Sequence, residues 1–351
     1  MKPVHCSSIH LVFVLIFLCG CSAGSNPAPG LTETAFTATV AQASTTPSTE
    51  PTSTPTATST ATATLTSPTP STEPTATPTA ADTATATPLP PPLRFAVIGD
   101  YGMDNQAEAD VAALIQGWQV DLVITTGDNN YPSGSAETID ANIGKYFHNF
   151  IFPYNGAYGA GADRNRFFPS MGNHDWYTAE AQPYFDYFTL PGNERYYDFV
   201  EGPVHFYAIN SDEHEPSGIN AGSLQAASLQ QTLAGSTSAW NIVYMHFAPF
   251  SSGSHGSTPW MKWPYAKWGA DALLAGHDHL YERLVVDGIP YFTNGSGGGG
   301  LYNFGSPLPE SKFRYNANYG AMLVTASESE LLFEFYSREG IIKDSYLVTK
   351  P

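Results

Sequence analysis

The chain has 351 residues, and its 32 Asp and Glu against 14 Lys and Arg leave a formal net charge of −18. So acidic a composition argues against nonspecific binding to nucleic acid. All three cysteines, Cys6, Cys19 and Cys21, fall at the N-terminus, which excludes a disulfide-built scaffold for the rest.

Lys2 precedes an apolar run from Leu11 to Leu18, long enough for a signal peptide and too short for a membrane span. The run ends in Leu18-Cys19-Gly20-Cys21, which resembles the lipobox of bacterial lipoproteins, although Cys19 stands where a small residue is usual. The expectation is a signal peptide over 1–20 and a lipid anchor at Cys21, on the extracytoplasmic cell surface; plain secretion after nearby cleavage is the alternative. Residues 21–92 are Thr, Pro, Ala and Ser, charged only at Glu33, Glu50, Glu73 and Asp82. Such a segment buries no core and is expected to stay disordered or partly polyproline II. Extended at ~3.1 Å per residue, it forms a stalk of about 200 Å. Most of the negative charge therefore belongs to residues 93–351, the size of one α/β domain.

That domain opens with a strand expected at Arg94–Gly99 and a helix near Asn105–Trp118. A strand at Asp121–Gly127, a helix around Ala136–Phe147, and strands near Phe167–Met171, Tyr196–Val200 and His205–Asn210 follow. A helix at Leu224–Leu233 leads to strands at Asn241–His246 and Ala272–Ala275. The remainder reads as all-β: Glu282–Val286, a tight Asp287-Gly288 turn, Pro290–Thr293, then a meander of Gly320–Thr325, Glu330–Tyr336 and Ile341–Val348. Five of the strands end in polar clusters: Gly99-Asp100-Tyr101-Gly102, Gly127-Asp128-Asn129-Asn130-Tyr131, Gly172-Asn173-His174-Asp175, His246 and Gly276-His277-Asp278-His279. Ligand sites of open α/β sheets lie outside the carboxyl ends of strands. If these strands share one face of a core, their ends unite Asp, Asp, Tyr, Asn and three His, a donor set for two metal ions sharing one carboxylate.

The order D-x-G, G-D-x-x-Y, G-N-H-D, V-x-x-H (Val243 to His246) and G-H-x-H resembles the calcineurin-like metallophosphoesterases, and within them the purple acid phosphatases. The broader superfamily usually has D-x-H in its first motif. Here that position is Gly102, and Tyr131 supplies a hard anionic phenolate suited to a trivalent ion. The resemblance implies a four-layer αββα sandwich of two mixed sheets. It places Asp100, Asp128, Tyr131 and His279 on Fe(III), and Asp128, Asn173, His246 and His277 on Zn(II), Fe(II) or Mn(II). The implied reaction is attack on a small phosphate monoester by a metal-bound hydroxide, with the second ion polarising a phosphoryl oxygen.

His174 and His255 are the candidates for protonating the departing alkoxide, and Asp175 for orienting His174 through a hydrogen bond. The loop around His255 reads as loose. His148, His205 and His214 read as structural or solvated. Gly295–Gly300 lacks the Lys-Ser/Thr of a phosphate loop and reads as a mobile rim. Tyr158, Trp176, Tyr177, Trp260 and Trp263 are candidates for a cleft wall or for core packing. A phosphodiesterase using the same metals, and a non-catalytic surface binding module, remain as alternatives; all seven ligand positions carry competent types.

Overall fold

The computed structural model describes residues 91–350. The signal segment, Cys21 and residues 21–90 of the linker lie outside the described residues. Among those described, no helix is long and apolar enough to cross a membrane.

The alternation of apolar side chains builds two facing sheets. One has six strands in the order β13-β12-β11-β1-β2-β3. In it, β1 (Leu93–Ile98), β2 (Leu122–Thr125) and β3 (Phe167–Pro169) run parallel. Antiparallel to β1 lies the meander β11 (Gly320–Ala326), β12 (Glu330–Ser337) and β13 (Ile342–Thr349). The other sheet has seven strands ordered β10-β8-β9-β7-β6-β5-β4. Its parallel centre is β5 (Val204–Ala208), β6 (Trp240–Phe247), β7 (Ala272–Gly276) and β9 (Ile289–Asn294). Antiparallel edges complete it: β4 (Tyr197–Glu201) on one side, β8 (Tyr281–Val286) and β10 (Ser311–Tyr315) on the other. This is the expected pair of mixed sheets with helices. The post-motif strands, however, divide between the sheets: the Asp287-Gly288 hairpin joins the second, the meander joins the first, and β10 was not anticipated.

The period of two decides what each strand buries. Phe206, Ile242, Tyr244 and Leu274 point between the sheets, while Tyr207, Val243, Met245 and Leu273 point outward to a second core. That second core includes Ala226, Leu229 and Leu233 of helix α6 (Leu224–Gly235), which packs over this face. Aromatic contacts join the layers: Phe95 on Phe206 at 5.0 Å, Phe168 on Phe199 at 3.8 Å and Tyr281 on Phe335 at 4.1 Å. Such offset and edge-on pairs each add about 0.5–1.5 kcal/mol beyond their area.

Helix α1 (Gln106–Gly117) is N-capped by Asn105, whose side chain accepts the Glu108 N–H. The stretch expected as one helix over 136–147 is instead α2 (Ala136–Ile139), a π-helical turn at Asp140–Gly144 and α3 (Lys145–Phe147). Three short helices had no periodic signal: α4 (Asn173–Trp176), α5 (Gln182–Tyr187) and α7 (Tyr265–Trp268). The ends of β1, β2 and β3 in one sheet and of β6 and β7 in the other open onto one edge of the sandwich. The five motifs therefore meet across the gap between two sheets rather than along one.

Candidate metal centre

Each motif places its donors at or just beyond the end of a strand, and three of them sit on backbone held in an unusual conformation. Asp100 (φ 54°), Asp128 (φ 51°) and His277 (φ 71°) all occupy the left-handed region. For residues with a Cβ this costs energy and persists only where the surroundings enforce it, most often at functional sites. One enforcing contact is visible: the backbone N–H of His277 donates to both carboxylate oxygens of Asp100, at 3.2 and 3.0 Å.

Two groups of donor atoms result. In the first, the Tyr131 hydroxyl lies 2.9 Å from Asp128 Oδ2, 3.4 Å from Asp100 Oδ1 and 3.1 Å from His279 Nε2. Asp100, Asp128 and His279 offer ligand atoms all within 4.8 Å of one another, and all three are buried. In the second, His246 Nε2 lies 3.4 Å from Asp128 Oδ1, 3.1 Å from Asn173 Oδ1 and 3.2 Å from His277 Nδ1. All seven expected ligands are thus brought together, and Asp128 turns one oxygen toward each group. Gly102 explains the missing histidine. A Cβ there would fall 1.7 Å from the Asn129 carbonyl oxygen, so no side chain fits without moving the backbone.

The imidazoles are aimed by their far nitrogens. His246 donates Nδ1–H to the Thr126 carbonyl at 2.8 Å, and His279 donates Nδ1–H to Gly300 at 2.8 Å, leaving Nε2 of each for the centre. Tyr302 stacks on His279 at 4.1 Å. The Asn173 amide N–H donates to the Tyr177 hydroxyl at 2.8 Å, which turns Oδ1 inward.

Electrostatics fit this donor set to cations. Burial, with the carboxylates of Asp100 and Asp128, holds the Tyr131 phenol far above its ordinary pKa, so it ionises only beside a strong positive charge. Burial disfavours charging His246 and His279, but nearby carboxylates outweigh it and raise both. Burial and the other imidazoles push His277 down to about 2, which keeps it the neutral ring a metal needs. The donors are two carboxylates, a phenol, an amide oxygen and three imidazoles, with no lysine or arginine among them. Oxygen and nitrogen donors of this kind suit Fe, Zn and Mn.

The profile of the calcineurin-like phosphoesterase family matches residues 93–281, more than half of the chain. This chain is a calcineurin-like phosphoesterase. Purple acid phosphatase 3 of Arabidopsis thaliana is 27% identical to it over 283 residues, covering 69% of this chain and 74% of the relative. Purple acid phosphatase 17 of the same plant is 26% identical, over 73% and 84% of the two chains. Among solved structures, a purple acid phosphatase from yellow lupin (Lupinus luteus) seeds superposes with a TM-score of 0.59 at 18% identity. That match covers 74% of this chain and only 54% of the lupin chain. GAP50, the anchor in the inner membrane complex of Plasmodium, shares the fold equally well, with a TM-score of 0.59 at 17% identity over 75% and 90% of the chains.

The remaining residues of the phosphoesterase's centre are placed with some surprises. His174 donates Nδ1–H to the Pro132 carbonyl at 2.7 Å, and its Nε2 stands 3.9 Å from Asp128 Oδ2. Asp175 does not bond His174, contrary to expectation. Successive residues of a helical turn point about 100° apart, so Asp175 is buried inward while His174 stays partly exposed beside Asp128. Its carboxylate instead accepts N–H groups from Gly172 at 2.9 Å and from the Asn129 backbone and side chain at 3.1 and 2.9 Å. Burial, reinforced by the Asp128 charge, pushes Asp175 up to about 7. It therefore fastens the third motif to the second.

His255 stacks on His277 at 4.2 Å, and its loop is anchored rather than loose, with Ser251 and Ser252 buried. The glycine run is likewise no mobile rim: Gly295–Gly299 are buried, and a Cβ on Gly299 would lie 2.6 Å from the His279 ring. Beside the second donor group opens a cleft of about 430 Å³, walled by Tyr177, Phe247 and Trp260 and rimmed by Asp212, Glu213 and His214. Trp176 and Trp263 belong to the core, and Tyr158 is exposed. His214 is not simply solvated: it bonds Asp212 at 2.5 Å, stacks on Trp176 at 5.6 Å and lines the cleft. His148 bonds the Gly144 carbonyl, and His205 bonds Asp198 and Tyr207, as structural histidines should. Reasoning from sequence missed Tyr302 and His214, since neither carries a local motif.

Proposed function

We infer that this chain is an extracytoplasmic phosphatase that uses two metal ions to hydrolyse small phosphate monoesters. The observation that carries this reading is Asp128, whose two oxygens face different donor groups, Oδ2 toward Tyr131 and Oδ1 toward His246. Asp100, Tyr131 and His279 would complete the first site, with Fe(III) favoured by the phenol. Asn173, His246 and His277 would complete the second, with two fewer anionic donors and hence a divalent ion, Zn(II), Fe(II) or Mn(II). When bound, such a pair supplies Lewis acidity at a phosphoryl oxygen and lowers the pKa of water.

The chain's own residues do the rest. Asp100 fixes the His277 backbone, Thr126 and Gly300 orient two imidazoles, and Tyr177 orients the Asn173 amide. His174, with Nδ1–H committed to Pro132, keeps Nε2 for a proton at the edge of the centre. Exposed His255 stands over His277, on the cleft side, where a leaving alkoxide needs a proton. The walls of Tyr177, Phe247 and Trp260 suit an organic leaving group. The Asp212 and Glu213 rim, without a lysine or arginine lining residue, disfavours additional phosphates. A membrane anchor at Cys21 and a stalk over 21–92 are part of the same proposal.

The test is steady-state hydrolysis of p-nitrophenyl phosphate and of bis-p-nitrophenyl phosphate by the metal-loaded chain, with metal content measured. A kcat/KM at least about tenfold higher for the monoester, a difference of 1.4 kcal/mol in activation energy, supports the phosphatase. Preference for the diester replaces it with a phosphodiesterase.

A further inference from the structure

His255 sits in Ser251-Ser252-Gly253-Ser254-His255-Gly256, a composition with no intrinsic means of fixing an exposed imidazole. Two buried carboxylates from the segment after β7 do so from below. Asp278 lies between the candidate ligands His277 and His279, yet turns away from both. Its Oδ1 accepts the backbone N–H of His255 at 2.9 Å, and its Oδ2 accepts the Ser251 hydroxyl at 2.5 Å. Glu282, four residues on, accepts the backbone N–H and hydroxyl of Ser252 at 2.7 and 2.6 Å, and the Ser311 hydroxyl at 2.5 Å. The relative exposures of Asp278 and Glu282 are 1% and 0%. The loop rests directly on the first of them, since a Cβ added to Gly253 would lie 2.2 Å from the Asp278 carboxyl carbon.

We propose that Asp278 is a positioning residue that locks the His255 loop to the turn presenting His277 and His279. The imidazole that delivers the proton and the donors that hold the centre then move as one body. This rests on the reading of His255 as the group that protonates the leaving alkoxide. The physical reason for such a device is effective concentration: a general acid on a free loop is seldom in line with the departing oxygen, and a held one always is. The alternation in His277-Asp278-His279 sets outer residues toward the centre and the middle one toward the loop.

The experiment compares Asp278→Ala, Asp278→Asn, Gly253→Ala and His255→Ala in the full chain. Each variant is checked for metal content and visible spectrum, then assayed on an alkyl phosphate and on p-nitrophenyl phosphate. Hydrogen exchange over 251–256 is the readout independent of activity. Asp278→Ala and Gly253→Ala should keep both metals and lose protection over 251–256. Their rate on the alkyl phosphate should fall by about 10², with much less loss on the aryl ester, whose leaving group needs no proton. Adding His255→Ala to Asp278→Ala should cost nothing more. Asp278→Asn removes the same charge but keeps an acceptor for the His255 N–H, and the Ser251 hydroxyl can reverse to accept its amide; it should recover most of the rate.

Normal alkyl phosphate turnover in Asp278→Ala, with His255→Ala impaired, overturns the inference alone. So does equal loss on both substrates with metal lost, which would place Asp278 in support of the ligands instead. Wild-type rates in His255→Ala overturn the role of His255 and the positioning role with it. If Asp278→Ala does not fold, Gly253→Ala decides by the same readouts.

Discussion

Two clusters in this molecule are built from the same residue types, aspartate and tyrosine, and behave in opposite ways. At Asp140, in the π-helical turn, the hydroxyls of Tyr154 and Tyr187 donate to Oδ1 at 2.7 and 2.8 Å, and the Ala157 N–H donates to Oδ2 at 2.8 Å. Protons outnumber carboxylates, and the knot is complete by itself. At the centre, one phenol, Tyr131, stands between two carboxylates and an imidazole nitrogen, so acceptors outnumber protons. Burial raises the phenols of both clusters; at Tyr154 and Tyr187 this keeps the needed protons in place, whereas at Tyr131 it must be overcome. A polar cluster with spare donors closes a fold, and one with spare acceptors waits for a cation.

The comparison breaks most visibly at Asp128. Asp128→Asn leaves a single acceptor oxygen where two are shared, and should lower kcat/KM by about 10³-fold or more. Metal analysis should find both ions depleted; near-normal turnover would remove Asp128 from the bridge. Tyr131→Phe keeps the ring and deletes the phenol oxygen. Any visible charge-transfer band of the iron-loaded chain should vanish, and a band that persists would separate Tyr131 from the metal. Tyr177→Phe tests a residue one step out. Freed from its hydroxyl partner, the Asn173 amide can turn its NH₂ inward, and affinity for the second ion should fall roughly 10–100-fold with the first retained. Titration with Zn(II) against a fixed first metal would read this directly; unchanged affinity would mean the amide is held without Tyr177.

Much of this was legible beforehand, because strand and motif are local. A buried run such as Leu122–Thr125 announces itself, and the Gly-Asp that follows is read from adjacent letters. The seven candidate donors could be picked out for that reason, and the two mixed sheets were anticipated with them. What escaped depends on contacts across the chain. The division of post-motif strands between sheets follows from β11 pairing with β1, more than two hundred residues earlier. The anchoring of His255 comes from an acid 23 residues downstream, and the burial of Gly295–Gly299 from the turns at Asp100 and His279. Asp175 misled because sequence adjacency to His174 was taken for side-chain contact, which a helical turn forbids.

The smallest expected effect lies on the self-sufficient side of the comparison. Burial alone would raise the Asp140 carboxyl, but the Ala157 N–H and the two phenols outweigh it and lower its pKa below the ordinary aspartate value. A carboxyl whose folded pKa is depressed contributes stability above its unfolded pKa, about 4, and loses it as the pH falls through the folded value. Asp140→Asn should therefore destabilise the domain by about 1 kcal/mol at pH 7, the size of a partly exposed hydrogen-bonded carboxylate. The gap between variant and wild type should close as the pH falls below the ordinary aspartate range and the wild-type carboxyl protonates. Urea unfolding at several pH values measures it. Phosphoesterase activity and metal content should be untouched at pH 7, because this cluster already owns its protons. A loss of metal in Asp140→Asn would mean that the two clusters are coupled through α2 and its π turn, and that the contrast between them is false.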